Sequence, residues 1–382
     1  MKTLPPNGNS HTNADADKRR RWLADIANYP AKPVPPDEPQ QLKGLIENQI
    51  GYMTLPLAVA GPLRIRGDYA DGVFYVPLCT LEGTLALSMT RGLYLTHLSG
   101  GIATRHLGQK LNRSPVFILN DTAEALAFGK WAGENLPQIR DAAQSQSRHA
   151  KLLRIDQIPI HKNMILNFVF STGDAAGQNM VTICTHAACQ YICQNYPKPV
   201  SFLIESNYAG DKNASWNNLT AGRGHHVIAE CRLRNRHIKR VLHADARKMI
   251  GYRNIFGVAS YLGGVLGLNA HAANALAAIY LATGQDVACV AENCNCISEY
   301  EIDDNGDLLV SLQMPSATVG TVGGATRLGQ QRANLELLGC TGEGSAAKFA
   351  EIVCASVLGL EISLLGAIAS DEFTRAHATF GR

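Results

Sequence analysis

The sequence predicts an α+β protein in which a ferredoxin-like βαββαβ unit is inserted into a larger domain. Three observations lead there. The 382 residues exceed what one simple core covers, so two or three domains are expected. A complete strand-helix-strand-strand-helix-strand order lies within residues 115–203. A hydrophobic share of 46%, a charged share of 18% and 35 glycines are the composition of a soluble globular chain with many tight turns.

Several classes are set aside by the same reading. A net charge of +3 is too small to argue for a nucleic-acid partner. The chain opens MKTLPPNGNSHTNADADKRRR, with no apolar segment of signal-peptide type. Residues 255–285 carry no Asp, Glu, Lys or Arg and are long enough for a membrane span. Asn269, His271 and Asn274 sit in their middle, and Gly257, Gly263, Gly264 and Gly267 interrupt them, so a buried helix after a glycine-rich turn is expected and no membrane partner. Ten cysteines without CxxC pairs are read as reduced, mostly buried thiols of a cytoplasmic protein, with no metal site.

In chain order, residues 1–44 are expected to be an N-terminal segment, disordered to about residue 20 and carrying a proline-rich extended connector, Pro30 to Pro39. Within it the run Lys18–Arg21 is a solvated helix start before WLADIANY, or a basic tag. ENQIGYMTLPLAVAGPLRI opens the folded body as a strand turning at Gly61–Pro62, and VFYVPLCT is a second strand. LEGTLALSMTRGLYLTHL is a helix that stacks Leu85, Ser88 and Gly92 on one face, with Glu82 just ahead of its start.

The inserted unit begins with the strand PVFIL and a helix from Asp121 to Gln144, where Asp121 and Glu124 have capping-box spacing. Strands AKLLRIDQIPI and MILNFVFST, the helix GQNMVTICTHAACQYICQNY and the strand PVSFLIE complete it. Next comes ESNYAGDKNASWNNLTAGRG, which has no helical or strand period. It is either a solvated turn or a loop in which Lys212, beside Asp211, is a fixed cation for charge developing on a substrate oxygen. A strand HVIAECRL, a basic helix RNRHIKRVLHADARKMI and the uncharged helix ending at GQD follow. Asp286 there ends a long apolar segment, where a carboxylate is costly unless paired. The strand LLVSLQM leads to a second glycine-rich turn, TVGTVGGAT. The last helix, AAKFAEIVCASVLGLEISLLGAIA, is expected to be amphipathic, and His377 lies in the tail beyond it.

ENQIGYM, LEGTLALSMTRG, GDAAGQNM, DKNASWNNLTAGRG, NAHAANALAAIYLATGQD, MPSATVGTVGGAT and the tail histidine stand in an order and spacing that resemble the catalytic domain of 3-hydroxy-3-methylglutaryl-coenzyme A (HMG-CoA) reductases. The resemblance implies a large domain, residues 45–114 and 204–382, built around a long central helix that fits Asn269–Gly284. It makes residues 115–203 the NADPH-binding insert, and it implies a homodimer or higher homo-oligomer with active sites between subunits.

The implied reaction is the four-electron reduction of an acyl-CoA thioester to a primary alcohol, HMG-CoA to mevalonate. Glu82, Lys212, Asp286 and His377 match its catalytic residues: proton donor, oxyanion-holding cation, coupling carboxylate and acid for the departing thiolate. Arg113, Asp211, Asn274, Ser88 and Arg91 match substrate contacts, and Arg253 aligns with another through a one-residue offset. Asp174, Gln178, Asn179, Gly323 and Gly324 fall on the cofactor motifs, and Ser147 with Arg148 falls where the 2′-phosphate of NADPH is held.

Two departures concern the acyl group. Asn213 replaces a family lysine that helps hold the free carboxylate, and Glu205 replaces a serine of the same pocket. A different acyl-CoA, or a thioester on a carrier protein, is therefore an alternative substrate. A non-catalytic dimer that binds CoA or a nucleotide is the alternative of another class. Binding alone needs neither a proton donor nor a thiolate acid, so Glu82, Lys212, Asp286 and His377 together favour an enzyme.

Overall fold

The computed structural model describes residues 4–6, 12–37 and 39–370; His377 lies outside them. Helix α1 (Asn13–Ile26) starts at Thr12, whose hydroxyl accepts from the Asp15 backbone N–H. Pairs Lys18–Asp15 and Arg20–Asp17, three residues apart, line its outer side. Trp22, Leu23 and Ile26 pack against Tyr75 and Leu337. This corrects the expectation of disorder to about residue 20 where the described residues reach it, from Thr12 on: a capped helix with an apolar stripe found a surface to cover. The connector is also tied down, since Asp37 Oδ1 accepts from Gly329 N at 2.7 Å.

Strands β1 (Leu57–Arg66) and β2 (Asp71–Cys79) form an antiparallel hairpin. The turn expected at Gly61–Pro62 is instead a register shift inside β1, between Ala60 and Leu63. Such an irregularity needs no ladder bond from the proline. Helix α2 (Leu85–Leu98) follows, then β3 (Ile102–Arg113).

The next elements are β4 (Val116–Ile118), α3 (Thr122–Glu134), α4 (Leu136–Gln144), β5 (Lys151–Ile160), β6 (Asn163–Ser171), α5 (Gln178–Asn195) and β7 (Ser201–Leu203). Their strands lie in the order β7-β4-β6-β5, and every pairing is antiparallel. Asp121 caps α3 as expected, accepting from Glu124 N at 2.7 Å. The single helix expected from Asp121 to Gln144 is two, because Pro137 lacks the N–H that would continue α3 and opens α4 instead. Phe117, Phe128, Ile139, Phe168 and Cys189 lie in a core of this segment's own.

The rest of the chain adds α6 (Trp216–Thr220), β8 (Gly224–Leu233), α7 (Asn235–Leu242), α8 (Ala246–Leu262), α9 (Ala272–Thr283), α10 (Val290–Asn293), β9 (Ile297–Ile302), β10 (Leu308–Ala317), α11 (Gly329–Leu337) and α12 (Ser345–Ala369). The expected single basic helix is α7 and α8, separated where His243 turns left-handed (φ 50°) and Asp245 caps the next helix. Strand β3 joins the two sheets: Ala103–Lys110 pair with β8, and Leu111–Arg113 pair with β6. Arg113, at its end, thus stands at the seam.

Helix α12 is buried on all sides rather than amphipathic. The polar residues that suggested an outer face are inward acceptors. Glu351 accepts from Asp68 N, Tyr69 N and Ala70 N, while Glu361 accepts from Ala270 N and His271 N. It is also the one described helix long and apolar enough to cross a membrane, and 89% of its most apolar stretch is buried within the fold. The helix expected at Asn269–Gly284 is α9, only 12 residues long, stopped by Gly284 in the left-handed region (φ 71°). Helices α2 and α12 meet glycine to glycine: a Cβ on Gly92 would lie 1.9 Å from Gly359 O. The Ser88 and Ser363 hydroxyls are bonded at 3.0 Å one turn away.

Candidate active site

Lys212 lies in a loop whose conformation few residues adopt. Asn207, Gly210 and Lys212 all have φ near +60°, and Asn218 Nδ2 braces the loop by donating to Gly210 O and Asn213 O. The Lys212 N–H donates to Glu292 Oε2 at 2.9 Å, which fixes where its side chain starts. The Lys212 ammonium then reaches Asp286 Oδ2 at 2.8 Å. That hydrogen bond raises the Lys212 pKa against the opposing effect of burial, so the group stays a cation through neutral pH. Asp286 is held in turn, because its Oδ1 accepts from Ala288 N at 3.0 Å.

Beneath this pair lies a buried ionic scaffold. Arg223 and Glu292 are both fully buried, with Arg223 Nη1 at 2.8 Å and 3.0 Å from the two Glu292 oxygens. Arg223 Nη2 donates to Gln178 Oε1 at 2.6 Å and lies 3.3 Å from Asp211 Oδ1. Gln178 Nε2 also donates to Asp211 Oδ1. Asp211 Oδ2 accepts from Arg113 Nη2 at 3.2 Å, and Arg113 Nη1 donates to Glu205 Oε2 at 2.5 Å. Asn213 Nδ2 turns back onto Asn207 Oδ1 and Asp211 O. Cys289 sits beside Gln178; burial first, then Glu292 and Asp286, pushes its thiol far above the ordinary range, so it is neutral.

The other expected residues gather elsewhere. Asn274, in the first turn of α9, donates through Nδ2 to Glu82 Oε1 at 3.1 Å. Arg91 lies at this end, its Nε and Nη2 donating to Ser363 Oγ and O. Arg253 is turned inward, donating to Ser298 O with its guanidinium over the Tyr300 ring. Asp286 follows the far end of α9, so most of that helix, about 14 Å of rise from Asn274 to Thr283, separates Glu82–Asn274 from Lys212–Asp286. The expected site is therefore two half-sites within one chain.

The two glycine-rich turns do meet. Ala175 and Val322 form a parallel bridge, and Asp174 O accepts from Thr321 N at 2.8 Å. Asp174's carboxylate caps α12, accepting from Gly344 N and Ala346 N, and so positions the turn. Gly323 and Gly324 have positive φ, and a Cβ on either would meet nothing within 4 Å: the backbone is exposed there. Asn179 is exposed in the first turn of α5; the Ser147 hydroxyl lies 3.0 Å from Sδ of the following residue, Met180, and Arg148, next to Ser147 in the chain, is exposed.

Arg223 and Glu292 are not among the expected residues. Their signals were an arginine between two glycines in AGRG and a lone carboxylate in the apolar run VACVAENC. Neither signal names the partner, which lies 69 residues away.

The chain spans, with a TM-score of 0.70 and 18% identity, a class II HMG-CoA reductase from Streptococcus pneumoniae solved with NADPH in open conformations, covering 86% of this chain and 89% of that one. Another structure of the Streptococcus pneumoniae enzyme gives a TM-score of 0.71 at 16% identity, covering 92% and 81%. At such identities the likeness carries the fold alone, a mixed helix-and-sheet architecture. Sequence relatives go further. The 3-hydroxy-3-methylglutaryl-coenzyme A reductase of Methanocaldococcus jannaschii is 40% identical over 352 residues, covering 91% of this chain and 87% of its own length. That of Pyrococcus horikoshii is 40% identical over 354 residues, covering 90% and 86%. The hydroxymethylglutaryl-coenzyme A reductase family model matches residues 15–382. The chain belongs to this family, and so to the oxidoreductases.

Proposed function

We propose that the protein catalyses the NADPH-dependent four-electron reduction of an acyl-CoA thioester to a primary alcohol and free CoA, with HMG-CoA and mevalonate as the pair that family membership supports. The observation carrying the proposal is the Lys212–Asp286 pair, anchored through the Lys212 N–H to the buried Arg223–Glu292 scaffold. Such a preorganised cation suits negative charge developing on a carbonyl oxygen, and removing one such donor costs about 3 kcal/mol.

In this reading Lys212 holds the carbonyl oxygen in both reductive steps, and Asp286 keeps the ammonium aimed and charged. Glu82, oriented by Asn274, gives the aldehyde oxygen its proton. His377 protonates the departing thiolate. Overall, thioester, two NADPH and two protons give alcohol, thiol and two NADP⁺. NADPH supplies hydride twice when bound. Its fit rests on the paired turns, where Gly323 and Gly324 leave backbone open, and on Asn179, Ser147 and Arg148 around the start of α5, with Arg148 the charge for a 2′-phosphate. Asp174 and Gln178 position these turns from behind. Residues 115–203 serve as a ferredoxin-like cofactor insert, a reading the β7-β4-β6-β5 order supports, and residues 45–114 with 204–382 form the substrate domain.

The two half-sites at opposite ends of α9 favour a homodimer. A two-fold partner would bring its Glu82, Asn274, Ser88 and Arg91 face to this chain's Lys212 face, completing two sites at once. The exposed apolar residues Ile255, Val258, Tyr261 and Leu262 on α8 suit such burial. A cytoplasmic location goes with this reading. One observation favours a second substrate reading, another acyl-CoA or a carrier-protein thioester: Glu205 occupies Arg113. NADPH oxidation with a panel of acyl thioesters including HMG-CoA, with product identification, tests the proposal. Turnover lost in Lys212→Ala is expected; no oxidation with any thioester overturns it.

A further inference from the structure

We propose that Glu205 makes the acyl pocket select thioesters whose acyl group has no distal carboxylate, a neutral hydroxyacyl chain being the class it fits. This deepens the reductase reading and rests on it. Glu205 is not a loose surface acid. Its Oε2 takes Arg113 Nη1 at 2.5 Å, and its Oε1 accepts from Ser206 N at 3.0 Å and Asn207 N at 2.8 Å. Three donors thus fix this carboxylate where an anionic acyl end would otherwise meet the guanidinium.

Among the described residues, no other cation of this loop region replaces Arg113. Its Nη2 goes to Asp211, Lys212 goes to Asp286, and Arg223 is enclosed by Glu292, Gln178 and Asp211. Arg113, Lys212 and Arg223 stand against Glu205, Asp211, Asp286 and Glu292, three positive charges against four negative. Asn213, next to the lysine, adds an amide and no charge. A second carboxylate entering here meets an excess of its own sign in a partly buried site, which is unfavourable. Displacing Glu205 breaks its ion pair with the buried Arg113 and its contacts with the Ser206 and Asn207 N–H groups. A hydroxyl, by contrast, can donate to carboxylate oxygens, whose lone pairs exceed the donors already placed on them. On the other half-site, Arg253 and Arg91 are turned onto Ser298 O and onto Ser363.

The test is a matched pair, HMG-CoA and 3-hydroxy-3-methylbutyryl-CoA, which differ by the distal carboxylate. Both are measured for NADPH-linked kcat/KM and for equilibrium binding to the unmodified protein. At least tenfold preference for the neutral thioester is expected in each. The double variant Glu205→Ser, Asn213→Lys should raise kcat/KM for HMG-CoA at least tenfold and reverse the preference. Equal or better use of HMG-CoA by the unmodified protein overturns the proposal. If neither thioester is reduced, the wider thioester panel decides the reductase reading, and the binding preference still decides the selectivity. If the double variant does not fold, the unmodified protein's preference in binding and turnover decides alone.

Discussion

Replacing Glu292 by glutamine should unfold the lysine loop's foundation without changing its volume. Glu292 is fully buried and accepts from Arg223 Nη1 with both oxygens, from Lys212 N at 2.9 Å and from the Thr318 hydroxyl. The amide keeps one acceptor and turns a donor toward groups that already donate. Arg223, also fully buried, keeps only Asp211 Oδ1 at 3.3 Å as an ionic partner. Removing one member of a buried pair costs about 3–5 kcal/mol. The surviving Asp211 contact places Glu292→Gln near the lower end, about 3 kcal/mol, or roughly a hundredfold in the folding equilibrium. Urea unfolding followed by circular dichroism measures this, with exposed Glu47→Gln as a control expected within about 0.5 kcal/mol of the parent. A Glu292→Gln stability within about 1 kcal/mol of the parent, at an unchanged m-value, would mean the buried pair does not anchor the loop.

Two further outcomes are expected. His225 is buried beside His106, and burial first, then that neighbour, lowers its pKa to about 3. Its folded value is depressed, so the stability it contributes is present above the ordinary histidine value and is lost as pH falls from about 6.5 toward 3, on the order of 5 kcal/mol; His225→Asn should flatten acid unfolding in that window, and an unchanged curve would contradict it. Gly92→Ala places a methyl 1.9 Å from Gly359 O, and the α2–α12 contact must open, which should lower the melting temperature; Leu87→Ala on the exposed side of α2 should change it little.

Most elements were legible because their periods are local. The strands of the 115–203 segment and α5 appear where alternation and helical spacing put them. Local pattern misled where tertiary structure reassigned a polar residue: Glu351 and Glu361 look like an outer face of α12 but receive backbone N–H groups from distant loops. Breaks also escaped, at Pro137 and at His243, since one residue decides them. In the site, Lys212 with Asp286 and Glu82 with Asn274 could be named from motifs. The Arg223–Glu292 pair could not, because a buried ion pair is specified by the fold and not by either residue's neighbours. Glu205 was legible as an added negative charge, but its capture by Arg113 was not.

A single mixing experiment tests the shared site directly. Glu82→Gln and Lys212→Ala, each inactive alone, are co-expressed with different tags, and NADPH oxidation is measured with whichever thioester the parent reduces. If each site takes Glu82 from one chain and Lys212 from the other, a mixed dimer holds one intact site and one doubly altered site. Random pairing should then restore about a quarter of the parent activity. Mixed dimers recovered through both tags with no activity above the single variants would contradict a site built from two chains.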